Sequence, residues 1–97
     1  MPGLTALMLG PFDLSVSMGL AGDYRHKDVQ AALDRMLAAA RARKLPVFAP
    51  IFDPDAAEAA RQRAEWMSRG AAHFVVGTDK ILFADTYRRY ASALRAP

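Results

Sequence analysis

Short apolar runs alternate with segments of helical periodicity along this 97-residue chain. Proline or glycine bounds or interrupts the apolar runs, which cover residues 4–9, 46–52 and 71–76 and are typical of buried strands. After each run, apolar positions recur every three or four residues, which predicts a helix. The pattern therefore predicts a strand followed by a helix three times over, in units of about residues 4–43, 46–69 and 71–95.

The helical periodicity also predicts which side of each helix is buried. The first helix, over about residues 28–43, should bury Val29, Ala32, Leu33, Met36, Leu37 and Ala40. The second should bury Ala57, Ala60, Ala64 and Met67, and the third Ile81, Ala84, Tyr87, Ala91 and Leu94. Asp53 and Thr78 are expected as N-caps, with Pro54 at a first helical position and Gly70 at a helix end.

Strands that alternate with helices and carry continuous apolar runs predict a parallel sheet with helices packed on it, an α/β fold. A (β/α)8 TIM barrel of ~250 residues uses ~31 residues per unit, so that three units need ~94 residues. The chain has almost that length, and residues 1–97 are expected to form a single domain. Such a sheet leaves both edges unpaired and one apolar face uncovered, so either partner chains cover it or the rest of a barrel is missing.

Composition narrows the possible functions. There are 13 basic and 10 acidic residues, a net charge of +3, and the arginines are scattered over the predicted helices, which does not favour nucleic-acid binding. The absence of cysteine excludes disulfides and thiolate metal sites. No apolar run approaches the ~20 residues that cross a bilayer, and no signal peptide is recognisable. A cytoplasmic protein is the expectation.

The stretch with the clearest chemistry is residues 7–19. Its apolar run ends at Gly10-Pro11 and places Asp13 in what is expected to be a polar loop, at the strand end where parallel sheets position functional groups. From the residues alone, Asp13 is either a functional carboxylate or a side chain that caps the loop.

Other candidate residues are explained structurally. His26 and His73 are isolated and are expected on the surface or in the core, not as a metal pair. Ser15 and Ser17 lack a general-base partner and are expected to form loop hydrogen bonds. Trp66 is a candidate interface residue. The methionines expected to fill the core or pack in loops are Met8, Met18, Met36 and Met67.

Three segments carry a resemblance to a known family. They are the Gly-Pro-Phe-Asp-Leu-Ser-Val-Ser-Met-Gly stretch over residues 10–19, Gly22-Asp23-Tyr24 with the helix at residues 29–32, and residues 74–79. Together they resemble the carboxyl-terminal part of the HpcH/HpaI aldolase and citrate lyase family, over essentially the whole chain. The resemblance implies that residues 1–97 form a single partial TIM-barrel domain, the last three units of a (β/α)8 barrel. It also implies membership of a family of metal-dependent pyruvate aldolases that are usually hexamers.

The resemblance also implies roles for individual residues. Asp13 matches a ligand of a divalent Mg²⁺ or Mn²⁺ ion, and the backbone amides around Gly10 and Phe12 match those that hold the carboxylate of a 2-oxo acid. Such a metal acts as a Lewis acid on the ketone. No catalytic side chain is assigned to this sequence, because the family's second carboxylate ligand and its arginine and histidine lie in the first five units. Whether this chain is itself an enzyme stays open.

Two functions are therefore expected as alternatives. The first is a carbon-carbon lyase, a class II aldolase that cleaves a 4-hydroxy-2-oxo acid to pyruvate and an aldehyde, as a fragment of the catalytic barrel. The second is a non-catalytic assembly module. The expected partners are a small-molecule 2-oxo acid and a second copy or complementing chain, since the resemblance implies exchange of the final helix, residues 78–95.

Overall fold

A computed structural model describes residues 3–95 of the chain. Its elements in chain order are β1 (Leu7–Met8), α1 (Pro11–Ser17), α2 (Lys27–Ala42), β2 (Val47–Ile51), α3 (Ala56–Ser68), β3 (His73–Val76) and α4 (Asp79–Arg95). The strands form one parallel sheet in the order β1-β2-β3, which confirms the predicted α/β class. Among these described residues, no helix is long and apolar enough to cross a membrane.

The central strand β2 accommodates a proline because of its register. Leu7 pairs with Val47 on one side, and Pro50 pairs with Val75 on the other. The Leu9 amide donates to the Phe48 carbonyl at 2.9 Å, so alternate residues of β2 bond towards β1. Position 50 therefore also faces β1. Because β1 has already ended at this level, the N–H that proline lacks would have had no partner in the ladder, and no ladder bond is lost.

One face of the sheet and helix α2 form the core. The predicted stripe on α2 is confirmed at five of its six positions, because Val29, Ala32, Leu33, Leu37 and Ala40 are buried. All of them except Ala32 belong to one cluster with four buried residues of the sheet and its ends: Leu9 just after β1, Val47 and Ala49 in β2, and Ala71 before β3. Apolar side chains at three- and four-residue steps put one continuous face of α2 onto the sheet, and this burial is the main stabilising contribution of the fold.

The opposite face of the sheet is uncovered within residues 3–95, as predicted. Met8 and Phe48 are register partners, and Phe48 in turn pairs with His73. The rings of Phe48 and His73 stack with centroids 4.8 Å apart. Met8 is 59% exposed on this face, and the other three methionines expected to fill the core or pack in loops are also exposed, so that prediction was wrong.

Helix α3 turns a different side to the sheet from the one predicted. Ala57, Ala60, Ala64 and Met67 are exposed, whereas Trp66 is partly buried and packs against the core cluster. Alanines occur on every side of this helix, so their spacing does not determine which side is buried. The large side chain of Trp66 determines it instead, because it packs against the core cluster.

The N-cap of α3 also differs from the prediction. Asp55 is the cap and accepts the Glu58 amide at 2.9 Å, while Asp53 accepts the Asp55 amide at 2.8 Å in the preceding turn. Helix α3 therefore starts two residues later than Asp53-Pro54 indicated. Its other end agrees with the prediction, since Gly70 follows it with φ of +107°.

Helix α4 projects away from the rest of the chain. The radius of gyration is 16.3 Å and the longest dimension is 59 Å, against a radius of about 13 Å for a compact domain of this size. Thr78 caps the helix as predicted, accepting the Ile81 amide at 3.1 Å. However, no residue of α4 is buried, so the predicted buried side is not covered by residues 3–95. Its exposed apolar residues are Ile81, Leu82, Phe83, Tyr87, Tyr90 and Leu94.

Candidate functional site

Asp13 lies in the first turn of helix α1 and not in the loop that the sequence predicted. Pro11 occupies the first helical position, where its fixed φ suits a helix and its missing N–H costs no hydrogen bond. The first bond of the helix joins the Leu14 amide to the Gly10 carbonyl at 2.9 Å. An acidic side chain in the first turn is favoured by the helix dipole, which helps so short a helix to form at the end of β1.

The backbone amides predicted to bind a carboxylate sit at the start of this helix. The Phe12 N–H precedes the first helical hydrogen bond, so it has no acceptor within α1. Gly10 is the N-cap residue and has no side chain that could occupy the helix start. A Cβ placed on Gly10 would lie 3.7 Å from Oδ2 of Asp13, so the carboxylate is next to the Gly10 backbone. The structure thus brings Gly10, Phe12 and Asp13 together.

Ser15 fixes the geometry of this helical turn. Its side chain is fully buried, and its hydroxyl donates to the Phe12 carbonyl at 2.6 Å. Its own carbonyl accepts the Leu20 amide at 2.8 Å, which ties the following segment to α1. Ser15 is therefore structural, as predicted, although its partners lie in a helix and not in a loop.

A groove of about 950 Å³ opens at the carboxyl ends of β1 and β2, beside Asp13. This volume is in the range of sites that bind small molecules. Seven of its aromatic and charged side chains come from outside α1: Tyr24, Arg25, Phe52, Asp53, Glu65, Trp66 and Arg69. The groove therefore combines apolar walls with charged side chains near Asp13, the predicted metal ligand.

The segment between α1 and α2 is held at both ends. Gly22 has φ of +91°, and a Cβ there would lie 2.7 Å from Cε2 of Phe12, so the Phe12 ring rests directly on the Gly22 backbone. Two residues later, the Tyr24 carbonyl accepts a hydrogen bond from Nε2 of Gln30 at 2.6 Å. The segment is thereby fastened to α1 on one side and to α2 on the other.

Arg69, which follows α3, connects α3 to α2 and so to the segment before it. Its guanidinium donates to Oε1 of Gln30 at 2.9 Å and to Oδ1 of Asp34 at 2.9 Å, and it lies 4.9 Å from the centre of the Trp66 ring. Sequence reasoning missed this connection, because Arg69 and Gln30 are 39 residues apart and no local pattern links them.

Glu58 and Arg61 on α3 shift each other's pKa. The pKa of Glu58 is lowered to about 2, first because Arg61 donates hydrogen bonds to its carboxylate and second because Gln62 does so. The same pair raises the pKa of Arg61 above its usual value. The Arg61 side chain is exposed and that of Glu58 is partly exposed, so the pair lies on the surface of α3.

The residues present fit part of a metal site. Asp13 offers one carboxylate, a ligand type that Mg²⁺ and Mn²⁺ accept. Within residues 3–95 there is no group of three histidine, aspartate or glutamate side chains that could hold an ion. His26 is instead the N-cap of α2, where Nδ1 accepts the Asp28 amide at 3.1 Å. With His73 stacked on Phe48, the two histidines have the structural roles expected of them.

Comparison with known proteins gives a consistent result. The model of the HpcH/HpaI aldolase/citrate lyase family matches residues 1–84. The chain is 45% identical over 62 residues to a hydroxypyruvate/pyruvate aldolase of Paraburkholderia phytofirmans, a match that covers 64% of this chain and 23% of that protein. It is 35% identical over 95 residues to a 4-hydroxy-2-oxo-heptane-1,7-dioate aldolase of Salmonella paratyphi C, covering 97% of this chain and 32% of that protein.

The fold agrees with that of a solved relative. A crystal structure of an HpcH/HpaI aldolase/citrate lyase family protein from Burkholderia cenocepacia superimposes with a TM-score of 0.81 at 34% identity, over 98% of this chain and 35% of that one. The chain thus spans about a third of the length of relatives that it matches almost end to end.

Proposed function

This chain belongs to the HpcH/HpaI aldolase/citrate lyase family, and on that premise we propose that it contributes part of the site of a class II aldolase. The reaction is the cleavage of a 4-hydroxy-2-oxo acid to pyruvate and an aldehyde. The contribution consists of one carboxylate ligand for a divalent Mg²⁺ or Mn²⁺ ion, Asp13, and a place for the carboxylate of the 2-oxo acid. A second chain or further barrel units supply the remaining ligands and the catalytic groups.

The observation that carries this proposal is the shared position of Asp13 and the Phe12 amide. Both lie in the first turn of α1, at the carboxyl end of β1, and both residues line the same groove. In parallel α/β folds, ligands bind at this end of the strands. A 2-oxo acid has a ketone and a carboxylate on neighbouring carbons. The ion held by Asp13 would bind the ketone, and the Phe12 N–H in the same helical turn would donate to the carboxylate.

Each of these residues would have a separate task. Asp13 would hold the ion, which when bound supplies Lewis-acid polarisation of the ketone. The Phe12 N–H would donate to the substrate carboxylate, helped by the dipole of α1. Ser15, through its bond to the Phe12 carbonyl, would keep this peptide in position. The aromatic groove walls would exclude water from the bound substrate.

The test is isothermal titration of Mn²⁺ into the chain in the presence of pyruvate. We expect binding in the unmodified chain and its loss in Asp13→Asn, which keeps the side-chain shape and removes the charge. Asp23→Asn is the matched control, because it removes a carboxylate from an exposed position outside the groove. Binding that survives Asp13→Asn would refute the ligand role, and no binding in the unmodified chain would refute the supply of the remaining ligands by a second copy of this chain.

A second function is favoured by helix α4. Its exposed apolar side chains surround a shallow groove lined by Phe83, Tyr87, Tyr90 and Leu94, among others, and no residue of α4 is buried in this chain. An uncovered apolar helix face is characteristic of a protein interface. The alternative is therefore a non-catalytic module that acts by assembling with a second copy or a complementing chain through α4.

A further inference from the structure

The side chain of Gln30 joins two walls of the groove that come from distant parts of the chain. Its Nε2 donates to the Tyr24 carbonyl at 2.6 Å, and its Oε1 accepts a hydrogen bond from the Arg69 guanidinium at 2.9 Å. All three residues line the groove. Gln30 therefore connects the segment that leads into α2 with the residue that follows α3.

The two partners of Gln30 require an amide between them. A guanidinium only donates hydrogen bonds and a backbone carbonyl only accepts them, so the bridging side chain must offer an acceptor to Arg69 and a donor to Tyr24. Glutamine carries both on one planar group. An ionised glutamate has acceptors only, and a methionine of similar length has only a weak acceptor. The bridge is therefore specific to glutamine among side chains of this length.

From Tyr24 the contacts continue to Phe12. The Tyr24 amide donates to the Gly22 carbonyl at 2.8 Å, and the Phe12 ring rests on the Gly22 backbone. Phe12 and Asp13 share the first turn of α1, and both line the groove. A continuous series of contacts thus runs from the end of α3, through Gln30, to the turn that carries Asp13.

The segment between α1 and α2 depends on such contacts for its position. Gly19, Ala21 and Gly22 all have positive φ, and the segment has no helix or strand of its own. The ordering of an irregular segment costs conformational entropy, which its contacts must offset. The Tyr24 side chain is exposed, so its burial contributes little. The hydrogen bond from Gln30 ties this part of the segment to α2 instead.

We propose that Gln30 is a positioning residue for the groove: through Tyr24 and Gly22, its amide holds the Phe12 turn in the arrangement that binds a ligand. The inference rests on the proposed function, because it takes the ligand to be a divalent ion with a 2-oxo acid at Asp13 and the Phe12 amide. Without the bridge, only a fraction of the chains holds this arrangement, and the apparent affinity falls by that fraction.

Gln30→Glu separates positioning from stability. The carboxylate keeps the contact with Arg69 as an ion pair, and an acidic side chain near the start of α2 is favoured by the helix dipole, so the urea midpoint should change little. Because the carboxylate cannot donate to the Tyr24 carbonyl, the NMR signals of the Phe12 ring should move. The affinity for Mn²⁺ in the presence of pyruvate, measured by isothermal titration, should fall roughly 2- to 10-fold, as the loss of one hydrogen bond predicts.

Two further variants complete the comparison. Gln30→Met removes both hydrogen bonds and should lower both the urea midpoint and the affinity. Asp34→Asn is the matched control, because Asp34 accepts the other hydrogen bond of Arg69 at 2.9 Å but lies outside the groove and does not contact Tyr24. It should leave the Phe12 ring signals and the affinity unchanged.

Two results would overturn the positioning role: Phe12 ring signals that stay in place in Gln30→Glu, or a loss of affinity that is equally large in Asp34→Asn. Absence of Mn²⁺ binding by the unmodified chain would count against the proposed function and not against Gln30. The Phe12 ring signals are recorded without ligand, so they decide the role of Gln30 by themselves.

Discussion

The ring of Phe12 rests on the backbone of Gly22, so closely that a Cβ on Gly22 would lie 2.7 Å from Cε2 of the ring. Phe12 is the residue before Asp13, and Gly22 belongs to the segment that leads to Arg25. This contact therefore joins the part of the candidate groove that α1 forms to the part that follows Gly22.

We predict that Gly22→Ala destabilises the chain and moves the Phe12 ring. The φ of +91° at Gly22 is unfavourable for alanine by about 1–2 kcal/mol. The clash itself should add little, because the ring is 60% exposed and can rotate away. Denaturant unfolding measures the first effect, and the NMR signals of the Phe12 ring report the second.

Gly19→Ala is the control for this substitution. Gly19 also has a positive φ, +77°, but nothing lies within 4 Å of a Cβ placed there. It should lose a similar amount of stability and leave the Phe12 ring unchanged. Ring signals that move equally in both variants would show that the contact between Phe12 and Gly22 is unimportant.

Arg69→Met should destabilise the chain by about 1–2 kcal/mol. The substitution removes hydrogen bonds to Gln30 and Asp34 from a side chain that is only 19% exposed, and such charge-assisted bonds contribute about this much. Arg89→Met is the comparison, since its pair with Asp85 lies along one exposed helix, with Arg89 73% exposed, and should contribute less than about 0.5 kcal/mol. Equal losses in urea unfolding would contradict a special role for Arg69.

Acid should weaken α3 through Glu58. Because the folded state lowers the pKa of Glu58 from 4.5 to about 2, its bonds to Arg61 and Gln62 stabilise α3 fully above pH 4.5. That contribution is lost as the pH falls from about 4.5 to about 2. We expect the thermal midpoint to fall over this window, and to fall less in Glu58→Gln, which has no carboxylate to protonate. If the thermal midpoint falls equally with pH in both proteins, carboxylates other than Glu58 cause the loss of stability.

Self-association is expected to depend on the apolar side of α4. Tyr87 is 67% exposed and lines the apolar groove, so Tyr87→Gln should shift the chain towards monomer in analytical ultracentrifugation. Arg88→Gln changes the adjacent residue, which lies outside that groove, and should leave the association constant unchanged. A chain that is already monomeric without substitution would exclude self-association through this helix.

The sequence predicted α2 well because its apolar residues are large and regularly spaced, so that a single face is possible. It predicted the wrong face for α3, since alanine side chains are too small to distinguish one side from another. For α4 the periodicity identified an apolar side, but periodicity does not tell whether the same chain covers it. Helix α1 was missed because seven residues are too few to show a helical period.

The candidate site was predicted in the same uneven way. Gly10, Phe12 and Asp13 are adjacent in sequence, so a motif was sufficient to find them together. The chain of contacts from Tyr24 through Gln30 to Arg69 depends on α2 and α3 packing side by side. No spacing along the sequence encodes that arrangement.

Helices α2 and α4 are buried to different extents, so their amide hydrogens should exchange with solvent at different rates. Val29 and Leu33 of α2 are fully buried against the sheet, so their amides exchange only when α2 and the sheet open together. Helix α4 has no buried residue and can unwind while the rest stays folded. Its amides should therefore exchange first, and protection gained there on adding a partner would report assembly directly, independently of any change at Asp13.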